Sequence, residues 1–233
     1  MPVGKTIQQE VSGYISTLLR DHFGKGPKSV YVTLKHPFIT IHFRGFIAPM
    51  EKVLLQRNEW KRVLEIRDLL VEKLKEDVVE ELQKLADLNI EEFYADWNLK
   101  HESGLFIGVM KGRAEEKDFE GPPSIDKKAF EQRVRDATEK AQKVPGRVDT
   151  YWLSERMILV KRTDILVGIE KALIKEGYSE VLKLAKRPME RSLLEAADLG
   201  ETLHRNIVEI FLDWDFINDF GYVGLILEPQ KDS

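Results

Sequence analysis

Apolar residues recur along this chain first at helical and then at strand spacing. Between residues 7 and 23, Val11, Tyr14, Ile15, Leu18 and Leu19 form the stripe of an amphipathic helix. Gly24-Lys25-Gly26-Pro27 ends it. Val30, Val32 and Leu34 then alternate with polar residues, and Ile39, Ile41 and Phe43 do so again after Lys35-His36-Pro37. That pattern predicts a β-hairpin with Pro37 in its turn, where a missing N–H costs little. Ala48-Pro49 followed by Glu51 predicts a helix start, with proline in the first turn and an acid at the positive end of the dipole. Val63, Ile66, Leu69, Leu70, Leu74, Val78 and Leu82 carry the helical stripe to about Asp87, with Asn58 as a point of division. Strands over 90–97 and 105–110, separated by a polar turn, complete the unit.

The pattern occurs twice. Residues 24–112 recur, weakly but in order, from Gln142 to about Pro229, at a shift of about 118 positions. Pro27, Val30, Glu51-Lys52, Leu54-Leu55, Asp96-Trp97 and Phe106 find counterparts in Pro145, Val148, Glu170-Lys171, Leu173-Ile174, Asp213-Trp214 and Val223. The predicted architecture is α+β: two tandem α-β-β-α-β-β repeats, each an antiparallel four-stranded sheet covered on one face by helices, packed as a pseudo-dimer. The first repeat is expected over 1–113, a charged and Gly-Pro-Pro-containing linker over 114–126, and a diverged second repeat over 127–233. Pro188 falls inside the second helical stretch, opposite Leu70 of the first, and is expected to break or kink the helix.

Composition narrows the class. With 42% hydrophobic and 33% charged residues, the 233-residue chain reads as globular. Its apolar runs are short, and the N-terminus lacks a basic start followed by an apolar stretch, so a cytoplasmic location is expected. The absence of cysteine excludes disulfides, thiolate nucleophiles and zinc–sulfur sites. High charge without cysteine also suits a heat-adapted source. Residues 1–115 carry 17 Lys+Arg against 17 Asp+Glu, and the remainder 19 against 23, so the second half supplies the whole net charge of −4. Neither half has the basic footprint of a nucleic-acid binder.

Candidate chemistry is sparse. Asp96-Trp97 and Asp213-Trp214 each fall where a third strand ends. They read either as a twice-repeated polar site beside an aromatic platform, or as a turn in which Asp caps backbone N–H groups while Trp packs on the sheet. Asp213, Asp215 and Asp219 lack the glycine and terminal glutamate of a calcium loop and read as a solvated loop, and no metal is expected. The five histidines show no ligand spacing and do not recur. Gly24-Lys25-Gly26-Pro27-Lys28 reads as an anion-binding nest or as a helix C-cap; its helix–loop–strand order differs from that of a phosphate loop. Glu65, Arg67, Glu72, Lys73, Glu76, Asp77 and Glu80 predict a mixed-charge, solvated helix face, which becomes a docking surface if an apolar strip stays exposed beside it. No catalytic residue and no cofactor is expected.

The run Gly24 to Leu34 (GKGPKSVYVTL), then residues 39–43 with Gly45, Ala48-Pro49 with Glu51, Leu54-Leu55 and Arg67, resembles the MpsC-like family over about residues 7–112. These are small domains named for a soluble component of a sodium-linked, membrane-potential-generating system. The second copy departs from that pattern: Gln142-Lys143-Val144-Pro145 lacks both glycines, and Gly168-Ile169-Glu170 lacks the proline. The family is mostly single-domain, so the chain looks like a tandem version with a diverged second half. The resemblance supplies no catalytic residues. It implies a non-enzymatic accessory protein, a cytoplasmic partner of an ion-translocating or inorganic-carbon-uptake membrane system, peripheral to the inner membrane through that partner. Homo-oligomers are compatible with this reading. A small-ligand-binding regulatory module is the alternative, and a hydrolase or lyase built on Asp96 and Asp213 a third. The two halves are expected to share a fold and differ in surface, the first keeping the inherited role.

Overall fold

Thr6 opens the first helix of the computed structural model, α1 (Ile7–Phe23). Its hydroxyl accepts from Gln9 N at 3.3 Å while Gln9 Oε1 accepts from Thr6 N at 3.0 Å, a reciprocal capping box. Gly24, with φ +75°, ends the helix in the left-handed conformation that glycine adopts without penalty. The structure describes residues 5–112 and 114–230, which form two compact units dividing between Ala114 and Glu115.

In the first unit, β1 (Ser29–Lys35) and β2 (Phe38–Arg44) form the predicted hairpin, turning at His36 and a cis Pro37. Helix α2 (Pro49–Gln56) starts on proline, and Asn58, at φ +61°, separates it from α3 (Trp60–Ala86). Strands β3 (Ile90–Asn98) and β4 (Ser103–Met110) follow, and the antiparallel sheet has the order β1-β2-β4-β3. Helix α1 packs on β1, α3 on β3, and the two helices on each other.

The second unit opens with a 3-10 helix, Glu116–Phe119, inside the predicted linker. It continues through α4 (Lys127–Ala141), capped by Asp126, and β5 (Arg147–Ser154) with β6 (Met157–Thr163). Then come α5 (Gly168–Lys175), α6 (Ser179–Ala196), α7 (Leu199–Leu203), β7 (Ile207–Asp215) and β8 (Phe220–Leu227). The sheet order β5-β6-β8-β7 repeats that of the first unit.

The duplication extends to backbone irregularities that side-chain pattern does not dictate. Left-handed residues recur at matching places: Gly45 and Asp164, Asn58 and Gly177, Asp87 and His204, Glu102 and Asp219. A bulge at Ile90/Glu92 returns at Ile207/Glu209. Each such position costs conformational energy for a non-glycine residue.

Pro188 does not break its helix. Helix α6 runs through it unbroken, and the left-handed Asp198, at φ +49°, divides the helical stretch instead. Pro188 also lies opposite Leu69 rather than Leu70, because the ion pairs described below align Arg67 with Lys186.

Candidate functional site

The most closely repeated polar feature is a buried glutamate facing a buried cation. Glu51 is the third residue of α2, so its carboxylate swings back over the helix N-terminus and accepts from Ala48 N at 2.7 Å. The same carboxylate takes two parallel hydrogen bonds from α3: Arg67 Nε to Oε1 and Nη2 to Oε2, each 2.7 Å. Nη2 also donates to Phe46 O at 3.0 Å. The guanidinium carbon lies 4.7 Å from the Phe46 ring centre and 4.8 Å from that of Trp97. Arg67 is fully buried and Glu51 9% exposed, so the pair ties α2, α3 and the sheet together in a dry environment. Trp97 is held in turn by its Nε1–H, which donates to Asp68 Oδ1 at 3.1 Å.

In the second unit Glu170 stands where Glu51 does. Its Oε2 accepts from Val167 N at 3.0 Å and its Oε1 from Lys186 Nζ at 2.5 Å. Here the pair grows into a network. Lys186 also reaches Glu190 at 3.1 Å. Glu190 accepts from Arg162 Nη2 at 2.8 Å and Gln142 Nε2 at 2.5 Å, and Arg162 Nη1 donates to Thr138 Oγ1 at 3.1 Å. In the first unit the corresponding positions hold Val71, Phe43, Phe23 and Leu19, and Phe23, Phe43, Phe46, Trp97 and Phe106 pack ring against ring. One unit surrounds a single cation with aromatic faces; the other keeps one of them, Trp214, 5.7 Å from Lys186 Nζ, and puts charge-assisted hydrogen bonds in place of the rest. The units therefore differ in their interiors, a divergence that the expectation of unlike surfaces did not address.

The other predicted residues are dispersed. Gly24 is the C-cap of α1, and Lys28 N donates to Arg44 O at 2.8 Å to begin the hairpin. Lys25, Gly26 and Pro27 are partly buried between helix and strand, with Gly26 close to Ser16 O. Asp96 and Asp213 lie within β3 and β7 and are buried, as are Trp97 and Trp214. Asp213 accepts from Lys183 Nζ at 2.8 Å and from Trp214 N at 2.9 Å. Arg67 belongs to the interior, not to the solvated face on which its charged neighbours in α3 suggested it would lie. Ile66 and Leu69 do remain exposed on that helix.

The acidic triplet separates onto different partners. Asp215 accepts from Ile217 N at 3.0 Å and Asn218 N at 2.8 Å. Asp219 accepts from Ile165 N and Leu166 N, each at 2.8 Å, and from Lys171 Nζ at 2.7 Å. Burial works to raise the Asp219 carboxyl, but the Lys171 ammonium and the two amides outweigh it and hold it below its ordinary value. Lys171 is raised in return, chiefly by its hydrogen bond to Asp219. Tyr14 is pushed up to about 12, first by burial and then by Glu81 and Asp77.

Lys186, Arg162 and Glu190 had no signal in the sequence beyond their charge. Comparison of the copies position by position contains one: each takes a place that is cationic or apolar in the other copy, on a face that the helical or strand period turns inward. No helix among the described residues is long and apolar enough to cross a membrane.

No curated protein and no solved structure matches the chain. Residues 4–112 match the family described as "Na+-translocating membrane potential-generating system (MpsC)", and that stretch includes Glu51, Arg67, Phe46 and Trp97. The match falls on the first unit, and the second unit repeats the same sheet order beyond the matched residues.

Proposed function

We propose that the protein is a non-enzymatic accessory component that docks, through its first unit, on an ion-translocating or inorganic-carbon-uptake membrane assembly. The family match over residues 4–112 carries this reading. The outer faces of α2 and α3 suit a docking role: Met50 and Leu69 are 71% and 68% exposed, with Val53 and Ile66 beside them on the same helices. Charged neighbours such as Glu65 and Glu72 supply a polar rim, the usual composition of a transient interface. The candidate carboxylates Glu51, Glu170 and Asp213 are engaged in ion pairs within the fold, which favours a structural over a chemical role for them. The membrane association proposed is peripheral and through the partner.

Affinity purification from native membranes tests the reading. Recovery of an integral membrane subunit with the wild-type chain, and its loss with the surface variant M50E/L69E, is the expected result. Recovery of no membrane protein, or equal recovery with the variant, would count against it.

A further inference from the structure

Residues 119–125 do more than connect. Phe119 is 3% exposed and meets Tyr151 edge-on, with ring centres 5.3 Å apart. Gly121 lies so close to Trp152 that a Cβ there would stand 2.6 Å from Cε3, so only glycine permits this approach. The segment roofs a cavity of about 230 Å³ in the second unit, walled by Phe119, Gly121, Phe130, Thr150, Trp152 and Leu203. Among the described residues of the first unit no such roof exists, because only Lys5 and Thr6 precede α1.

Thr150 is the informative wall. By strand register it occupies the place of Val32: Val32 faces Ile41 in one hairpin and Thr150 faces Val160 in the other. Threonine keeps the outline of valine and adds a hydroxyl. That Oγ1 is buried and has no hydrogen-bond partner among the described residues, an arrangement folded proteins rarely leave in place. At the rim Glu120 and Lys127 carry opposite charges, and Lys127 Nζ already stands 3.8 Å from Glu131. Among the residues lining the cavity these two charges balance. A dry cavity of about 150 Å³ is enough for benzene, so this one has room for a second fused ring.

We propose that this cavity binds a small, uncharged, planar apolar molecule, up to the size of a bicyclic aromatic, with one polar atom that hydrogen-bonds to Thr150 Oγ1. Trp152 and Phe130 supply the ring-stacking walls, and the hydroxyl orients the guest. The site belongs to the second unit and does not rest on the docking role of the first.

Titration calorimetry of the full chain with indole, and with indene, which has the same outline without the N–H, tests the site. Indole should bind saturably at one site, with amide shifts in two-dimensional NMR spectra confined to residues 119–130, 150–152 and around 203. Thr150→Val should weaken indole about tenfold and leave indene unchanged, while Thr150→Ser should bind indole as the wild type does. The valine variant removes only an unpartnered hydroxyl, so its thermal midpoint should equal or exceed that of the wild type. Indole affinity unchanged by Thr150→Val, shifts mapping elsewhere, or no saturable binding of either compound at millimolar concentration would overturn the proposal.

Discussion

Phe43 of the first unit and Arg162 of the second stand at the same point of the sheet. Phe43 faces Gly104 across the β2–β4 ladder, and Arg162 faces Gly221 across β6–β8. Both side chains are fully buried. An aromatic ring and a guanidinium thus fill one site in two copies of a fold, each made tolerable by neighbours the other copy lacks.

Exchanging these residues singly should be costly in both directions. Phe43→Arg places a guanidinium among Phe46, Trp97 and Phe106 with no carboxylate in the place of Glu190. Arg162→Phe leaves Glu190 without one of its two cations. Each variant should lose about 3–5 kcal/mol in urea unfolding followed by circular dichroism. An exchange costing under about 1 kcal/mol in either unit would show that the interior adapts more freely than the contacts imply.

Arg67 can be tested against its counterpart. Arg67→Ala strands the Glu51 carboxylate and should cost about 3–5 kcal/mol. Arg67→Lys loses the bidentate geometry but keeps a cation, as Lys186 does beside Glu170, and should cost about half as much. Equal losses for the two variants would mean that the guanidinium shape, not its charge, is what the first unit requires.

Asp219 gives an acid-side pH dependence. Its carboxyl lies below the ordinary value when folded, so it contributes stability at pH above its unfolded pKa. That contribution begins to fade as pH falls through about 4, the unfolded carboxylate range, and is gone once pH passes below the folded value. Lys171 has the opposite sense: its contribution is full below the ordinary lysine range and is lost as pH rises through its raised folded value. Urea midpoints measured from pH 6 to pH 2 should fall less steeply for Asp219→Asn than for the wild type. Parallel curves would remove Asp219 from the account.

Pro188 sits exposed in the interior of an unbroken helix, without the N–H that its position in α6 would otherwise supply. Pro188→Ala should raise the stability of the second unit by about 1–3 kcal/mol, seen as a higher thermal midpoint. A lower midpoint would show that the proline stiffens α6 to some structural advantage.

Much of the fold was legible in the period of apolar residues. The hairpins, the division of the first helical stretch at Asn58 and the closing strands follow from spacing two and spacing 3.6, which local geometry imposes on any half-buried element. The break in the second helical stretch was not legible in this way. Proline was the visible breaker, yet a helix can carry one on an exposed face, while Asp198 ends α6 through a backbone conformation that leaves no mark in hydropathy.

The candidate site divides along the same line. Glu51 and Glu170 announce themselves locally, because an acid at the third position of a helix caps it whatever lies beyond. Arg67 and Lys186 do not, since a charge in a helix of charges looks solvated until the sheet is placed against it. The amino-acid sequence by itself determined that the chain is a duplication and what each copy is built from, because both are written in short-range periodicity. Only the tertiary structure decided which charges lie inside, because the cost of burying a charge depends on partners that come from distant parts of the chain.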